Sequence, residues 1–227
     1  MAAPAQADVL GCGALAVNPN TTIVLTADID CTASPSGFGI AVAADNVTID
    51  LNGHSIIGDG LQPNDTTSTQ GIEVSSNFIG SANGVVIKNG TITGFNTAVY
   101  LEQVNGATVT GMNIHDNVGP DVSGTFGEGI QVFEGSGTTI TQNQVTNNGP
   151  FGGIRISRGV SSNNTVTANA VRNNTGTGIS INGSTNTIRF NKAFGNTVDL
   201  ADATAGCDAN VWKYNTFGTE SQVCIGT

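Results

Sequence analysis

The residues best suited to chemistry recur at one position of a repeated phrase. The phrase consists of a glycine, an apolar residue, a variable residue and a second apolar residue, as at 129–132 and 153–156. Successive side chains of a strand point to opposite faces, so the variable residue points outward when the apolar residues point inward. The aligned copies give one outward column of Glu73, Tyr100, Gln131 and Arg155, and a second column that includes Glu102 and Phe133. If the copies pair as strands about 4.8 Å apart, each column forms a vertical row.

Two types of catalysis fit these columns. Glu73 and Glu102 lie one strand and two residues apart, roughly 8 Å, which suits the general acid and base of inverting glycoside hydrolysis. Arg155 in one column with Tyr100 suits a lyase, which needs a base for the proton next to a carboxylate and a cation that stabilises the enolate. His115 is a further candidate for that proton transfer. A lyase acting on an acidic glycan is the leading prediction, and a hydrolase that uses the two glutamates is an alternative.

Further residues on this face are predicted to bind substrate: Gln131, Phe133, Glu134 and Arg158. Aromatic rings suit sugar faces, and arginine binds carboxylates through parallel hydrogen bonds. Two long insertions, 58–70 and 113–128, precede strand phrases and should border the same face, where loops commonly carry function. Carboxylate oxygens are ligands for calcium. The second insertion therefore predicts a calcium site formed by Asp116, Asp121 and Glu128.

The elements that must position these residues form an internal repeat. A second phrase follows each first one, as at 140–145, 166–171 and 188–193. The period of about 22 to 26 residues, with short alternating strands separated by Asn and Gly, predicts a solenoid of about seven coils. One turn position holds Asn143, Asn169, Asn191 and Asn215 in successive copies. Asparagine tolerates the bend and can bond to its neighbour above, so we expect an inward stack of amides.

Composition and charge limit the classes of function. Charged residues make up 11% and aromatic residues 5% of the 227 residues, and there are 31 glycines, which favours short strands and tight turns. The formal net charge is −10 with seven Lys and Arg. A nucleic acid partner is not expected, because binding phosphates requires clustered cations. The sequence has no apolar run long enough to cross a membrane, so membrane insertion is not expected either. The oligomeric state is left open.

The four cysteines form two pairs near the ends of the array, Cys12 with Cys31 and Cys207 with Cys224. This placement favours two local disulfides that close the solenoid, whose ends would otherwise expose its core and a strand edge. Zinc is the alternative, but the CxxC spacing is absent. Residues 8–36 are predicted to form an N-terminal cap with a strand at 22–25. Residues 1–9, which include an Ala-x-Ala like a signal-peptidase site, are a predicted disordered tail, and 10–227 a single exported domain.

One phrase carries a family resemblance. Residues 50–56 read Asp-Leu-Asn-Gly-His-Ser-Ile, which resembles the opening of the first coil in the right-handed parallel β-helix proteins of the pectate-lyase-like superfamily. The resemblance extends over about residues 10–225. It implies an all-β fold, a right-handed single-stranded parallel β-helix, with a structural role for His54. Members include pectate lyases, polygalacturonases, alginate lyases, epimerases, tailspikes and binding proteins. It therefore implies a polysaccharide partner but no particular reaction.

A non-catalytic protein is the alternative to an enzyme. The paired aspartates of polygalacturonases and the Asp-Pro-His of mannuronan epimerases are absent from the sequence. Outward residues of any solenoid are polar because they meet water, so a carbohydrate-binding or structural surface β-helix would show similar columns. Lys88, Arg189 and Lys213 share one outward position of the second phrase, on another face. No function is predicted for these three cations.

Overall fold

Short strands account for almost all the regular structure. The computed structural model describes residues 10–33, 37–60, 69–76, 81–119 and 127–226. Within these ranges the chain forms 22 strands and two short 3-10 helices, as expected for an all-β fold. The predicted tail at 1–9 lies outside the described residues. No helix in the described ranges is both long and apolar enough to span a membrane.

One face of the molecule is an eight-stranded parallel sheet. It contains the first phrase of each repeat, and its spatial neighbours are one coil apart along the chain. Its strands, in spatial order, are β1 (Ala14–Ala16), β4 (Phe38–Val42), β7 (Gln70–Ser75), β9 (Thr97–Glu102), β11 (Glu128–Phe133), β14 (Gly152–Ser157), β17 (Thr177–Ile181) and β20 (Val198–Asp202). Both columns of candidate site residues therefore lie on this sheet.

The second phrase forms a fourteen-stranded sheet that is bent into two rows. The first row contains β2 (Thr22–Val24), β5 (Thr48–Asp50), β12 (Thr139–Thr141), β15 (Thr165–Thr167), β18 (Thr187–Arg189) and β21 (Val211–Lys213). The second row contains β3 (Ile29–Asp30), β6 (Ser55–Ile57), β13 (Gln144–Thr146), β16 (Ala170–Arg172), β19 (Lys192–Phe194) and β22 (Thr216–Phe217). Two longer strands, β8 (Val86–Thr93) and β10 (Thr108–His115), run through both rows. Three faces of parallel strands thus enclose the core.

Apolar side chains fill the space between the three faces. One inward column of the eight-stranded sheet consists of Ile40, Ile72, Val99, Ile130, Ile154, Ile179 and Leu200, all buried. The other rows supply similar residues, such as Val166 beside Ile188. Branched aliphatic side chains pack well on pleated surfaces, and each coil buries them against its neighbours. The continuous core holds the outward residues in a fixed register.

Buried asparagines form ladders at the three corners between the faces. At the bend inside the fourteen-stranded sheet, Asn143 Nδ2 donates to Asn169 Oδ1 at 3.0 Å, and the ladder continues to Asn191 and Asn215. The predicted stack is therefore confirmed. Two further ladders, which were not predicted, consist of Asn117, Asn148, Asn174 and Asn196, and of Asn164, Asn186 and Asn210. The amides also donate to backbone carbonyls of adjacent coils, which satisfies polar groups that water cannot reach.

Disulfides close both ends of the solenoid. Cys12 is bonded to Cys31, and Cys207 to Cys224, as predicted. The segment predicted as an N-terminal cap contributes β1, β2 and β3, which pair in parallel with β4, β5 and β6. It therefore forms the first coil. At the other end, the 3-10 helices Ala205–Cys207 and Val223–Ile225 are joined by the second disulfide.

Candidate functional site

The register of the eight-stranded sheet stacks the predicted residues in rows. Glu73 pairs with Tyr100, Tyr100 with Gln131, and Gln131 with Arg155. The second column follows the same register and contains Ser75, Glu102, Phe133 and Ser157. The predicted juxtaposition of these side chains is confirmed, with neighbouring rungs about 4.8 Å apart. We call the surface formed by the two columns the polar strip.

Two glutamates flank Tyr100 at the lower end of the polar strip. Tyr100 is only 9% exposed, and its hydroxyl is hydrogen-bonded to the carboxylate of Glu102. Ser75 Oγ donates to Glu102 Oε2 at 2.8 Å, so two hydroxyls orient that carboxylate. Burial, and then the charge of Glu102, raises the pKa of Glu73. Glu73 therefore keeps its proton to a higher pH than an exposed glutamate does.

The same surroundings keep Tyr100 protonated. Burial is the main cause that raises the pKa of its hydroxyl, and the charges of Glu102, Glu73 and Glu128 raise that pKa further. A phenolate would have to form in a buried place among carboxylates, which disfavours a negative charge. Tyr100 is thus a hydrogen-bond donor at neutral pH rather than a base.

A partly buried ion pair lies at the upper end of the polar strip. Glu128 is 0% exposed and is the first residue of β11. Arg155 Nη1 donates to Glu128 Oε1 at 2.7 Å, and the hydroxyl of Thr97 donates to Oε2 at 3.4 Å. The guanidinium of Arg155 also lies over the ring of Phe151, 5.2 Å from its centroid. Burial raises the pKa of Glu128, and the hydrogen bond and charge of Arg155 oppose that rise. The charge of Arg155 is therefore already matched by a carboxylate.

Gln131 lies at the centre of the polar strip and is 3% exposed. Its Nε2 donates to Ser157 Oγ at 3.3 Å. Its Oε1 has no hydrogen-bond partner in the described part of the chain. An unpaired buried acceptor costs about 1–3 kcal/mol, so such atoms are rare in stable folds and often mark a functional position.

The edge of the polar strip carries an exposed cation beside an aromatic ring. The ring centroids of Phe133 and Tyr100 are 6.3 Å apart, and the guanidinium carbon of Arg158 lies 5.0 Å from the Phe133 centroid. Glu134 accepts a hydrogen bond from Gln103 Nε2 at 3.0 Å. Arg158 makes no ion pair with a carboxylate of the described residues. Its charge is therefore available to a ligand.

His115 lies on a different sheet from the polar strip. It is the last residue of β10, so its predicted place in a loop bordering the strip is wrong. The strand continues that far because Ile114 extends the inward column and pairs with Ile92 and Val145. His115 Nδ1 contacts Asp116 Oδ2 at 2.8 Å. The structure therefore does not bring His115 to the other catalytic candidates.

The two predicted calcium ligands that the structure describes lie apart from each other. Asp116 is exposed beside His115, whereas Glu128 is buried against Arg155. Asp121 lies outside the described residues. Among the residues that the structure describes, no group of three or more His, Cys, Asp or Glu side chains is placed to hold a metal ion. The calcium site stays a prediction.

The pairing of Glu128 with Arg155 was not predicted. The sequence pattern places Glu128 in the insertion before β11, yet Glu128 directly precedes the glycine of the repeated phrase and starts the strand. Its register partner in the next coil is Gly152. Extending the phrase alignment by one residue would have placed Glu128 on the sheet. The contributions of Ser75 and Thr97 as donors carry no comparable sequence signal.

The rows of parallel strands agree with a family match along most of the chain. Residues 29–218 match the family described as the right handed beta helix region. The chain belongs to this family. The family match therefore confirms the fold that the resemblance at residues 50–56 implies. A comparison with functionally curated proteins gave no significant match.

Two solved structures share the fold of this β-helix. The Dettilon tailspike protein is similar at a TM-score of 0.66 and 19% identity, covering 92% of this chain and 47% of the tailspike chain. A mutant of the periplasmic alginate epimerase AlgG is similar at a TM-score of 0.58 and 18% identity, covering 88% of this chain and 48% of its own. The chain thus spans about half the length of either protein. At these identities the similarity concerns the fold alone.

Proposed function

We propose that the polar strip is the active site of a glycoside hydrolase that cleaves a polysaccharide. The observation that carries this proposal is the pairing of two glutamates in different environments. Glu73 has a raised pKa and suits the proton donor, whereas Glu102 is oriented by the hydroxyls of Ser75 and Tyr100. Pairs of carboxyl groups in unlike environments, one of them with a raised pKa, supply the acid and base in several known types of catalysis.

The spacing of the two glutamates indicates how they would work. They are diagonal neighbours on adjacent parallel strands, and such neighbours are about 7–8 Å apart. That separation leaves room for a water molecule between a base and the sugar. Glu73 would protonate the oxygen of the leaving sugar, and Glu102 would remove a proton from the attacking water. The product would have inverted anomeric configuration.

The remaining residues of the polar strip suit substrate binding. Phe133 offers an aromatic surface next to Glu102, and Arg158 supplies a donor at the strip edge. These groups lie on successive coils that are about 4.8 Å apart. A row that extends along the solenoid in this way suits a long polymer. An epimerase named for alginate shares this fold, in line with a polysaccharide ligand.

A lyase is the second candidate, and one observation favours it. The exposed guanidinium of Arg158 lacks a carboxylate partner in the described structure and suits the carboxylate of a uronate. Two observations weigh against the lyase predicted from the sequence, in which Tyr100 transfers protons and Arg155 stabilises the enolate. Tyr100 remains protonated, and Arg155 is engaged by the buried Glu128. A lyase would therefore need a base other than Tyr100.

We also propose that the protein functions outside the cytoplasm. Its two disulfides close the ends of the solenoid, and disulfides persist in oxidising compartments. A secreted hydrolase would also meet its polysaccharide substrates in such compartments. Fusion of the chain to a reporter that is active only after export would test the location.

The test of the hydrolase is the release of reducing ends from a panel of neutral and acidic polysaccharides. Wild type should release them, and Glu73→Gln and Glu102→Gln should each lower the rate at least about a hundredfold, as expected for loss of an acid or base. Glu220→Gln removes an exposed carboxylate at the C-terminal end of the solenoid, where Glu220 pairs with Leu200 of β20, and serves as the matched control. Equal rates for all four proteins, or no release from any polymer, would contradict the proposal.

A further inference from the structure

The bend between the two rows of the fourteen-stranded sheet repeats one backbone conformation. In six successive coils it is made by an exposed residue with φ between 56° and 64°. We call this series the corner ladder: Asn89, Gly111, Gln142, Ala168, Phe190 and Tyr214. Glycine and asparagine tolerate positive φ best, and bulky residues adopt it rarely. Gln142 and Ala168 already depart from this preference, and the two uppermost coils place bulky aromatic residues there.

Phe190 and Tyr214 display their rings to solvent. They are 53% and 73% exposed. The rings are stacked, with centroids 5.1 Å apart and planes 15° from parallel, which matches the spacing of adjacent coils. The fold gains little from aromatic residues that are exposed and held in an unfavourable conformation. Such departures from local rules are expected at functional positions.

Three cations lie close to the aromatic pair along the chain. Arg189 and Lys213 precede the two aromatic residues and are paired across adjacent strands, while Lys192 lies two residues after Phe190 in the chain. All three are exposed, and no carboxylate of the described residues forms an ion pair with them. The chain has only seven Lys and Arg and a net charge of −10. Nearly half of its cations therefore gather at one corner.

Two depressions adjoin the corner ladder. The upper one has a volume of about 350 Å³ and is lined by Lys213, Tyr214, Asn215, Phe217, Ile225 and Gly226. The lower one has a volume of about 400 Å³ and is lined mainly by uncharged polar residues, including Asn89, Thr91, Asn113, Gln142 and Gln144. From Asn89 to Tyr214 the ladder advances five rungs, about 24 Å. The corner thus offers cations and aromatic rings at one end, and amides and hydroxyls at the other.

We propose that the corner ladder is a binding site for an anionic glycan. The free face and edges of the Phe190–Tyr214 pair would contact sugar rings, and Arg189, Lys192 and Lys213 would bind a carboxylate or sulfate group. The amides and hydroxyls of the lower coils would bind sugar hydroxyls. A nucleic acid fits less well because it carries a charge on every phosphate, whereas the cations occupy only the top of the ladder.

This site goes beyond the proposed hydrolase, because it lies on a different sheet from the polar strip. The two surfaces also differ in charge. The polar strip concentrates glutamates, whereas the upper corner ladder concentrates cations. A glycan held at the corner would keep the protein on an acidic polysaccharide while the strip acts on its own substrate. Binding at the corner and cleavage at the strip are therefore separable by substitution.

Titration calorimetry of the whole chain against alginate oligosaccharides tests the proposal. The double variant Phe190→Asn, Tyr214→Asn carries the residue type found at Asn89 in both upper coils. It should weaken binding by about tenfold or more. The double variant Arg189→Thr, Lys213→Thr should weaken binding to a similar extent. Threonine is chosen because it occupies the aligned position in β12 and β15. Arg172→Thr is the matched control: it removes an exposed cation of the same sheet at the far end of its strand.

Thermal melting and the rate of cleavage at the polar strip complete the design. Both should be unchanged in the corner variants, because Asn suits the positive φ and none of these residues contacts the strip. Equal affinity of wild type and the aromatic variant would overturn the proposal. So would absence of alginate binding, equal binding of neutral dextran oligosaccharides, or tighter binding of oligodeoxythymidylate. If Glu73→Gln binds alginate like wild type, the corner site stands whether or not the strip is a hydrolase.

Discussion

Replacement of Asn169 by alanine should destabilise the protein more than any surface change of equal size. Asn169 Nδ2 donates to the carbonyl of Ile140 at 2.9 Å, and its Oδ1 accepts from both the backbone N–H and the Nδ2 of Asn143 at 3.0 Å. The substitution leaves three groups of the neighbouring coil without these partners, and of the three Asn143 Nδ2 keeps its hydrogen bond to the carbonyl of Val109. Each unpaired buried group costs about 1–3 kcal/mol. Allowing for partial relaxation, we expect a loss of about 3 kcal/mol in the free energy of unfolding.

Urea denaturation followed by circular dichroism measures this loss. For a chain of this size a loss of about 3 kcal/mol corresponds to a fall in Tm of about 6–12 °C. Asn182→Ala is the matched control, because Asn182 is exposed and its side chain makes no hydrogen bond within the described residues; it should change stability by less than about 0.5 kcal/mol. A loss below about 1 kcal/mol for Asn169→Ala would refute the reasoning that the ladders hold the corners.

Three further predictions concern the polar strip and the ends of the solenoid. Burial raises the pKa of Glu73 in the folded state, so the folded protein binds its proton more tightly and stability falls as pH rises above the unfolded pKa of about 4.3. At pH 7 the Glu73→Gln variant should therefore have a higher melting temperature than wild type, and below a pH of about 4 the two proteins should melt alike. The reverse order in calorimetry would contradict burial as the cause of the raised pKa. Arg155→Met should cost about 3–5 kcal/mol at pH 7 because it strands the buried Glu128, and the double variant with Glu128→Gln should recover much of that loss in a double-mutant cycle. Removal of the disulfide between Cys207 and Cys224 by serine substitution should cost about 3 kcal/mol in urea denaturation, and an unchanged midpoint would show that the C-terminal coil does not depend on it.

The fold follows from the sequence because its signal is repeated. Ile130, Ile154 and Ile179 occupy the same place in three copies, and a one-residue slip would turn every one of them to solvent. The register of Glu73, Tyr100, Gln131 and Arg155 is therefore determined by the apolar residues beside them. The disulfide pairs are similarly indicated by their places at the two ends.

The environment of the site residues depends on contacts between coils that no repeat encodes. Arg155 appears in the sequence as a free cation, but Glu128 of the preceding coil takes up its charge. His115 appears in an insertion, but Ile114 extends the strand through it. The sequence indicates no role for Phe190 and Tyr214, because their positive φ and their exposure are properties of the folded bend. These outcomes depend on three-dimensional neighbours rather than on the local pattern.

The most direct test of the central claim is the mass of the cleavage products formed in water enriched in ¹⁸O. A polysaccharide cut at the polar strip by hydrolysis should give products that have gained one labelled water at the new reducing end, and Glu102→Gln should give none. Products with an unsaturated end and no label would identify a lyase and contradict the roles of Glu73 and Glu102. Intact polymer under all conditions would contradict catalysis at the polar strip altogether.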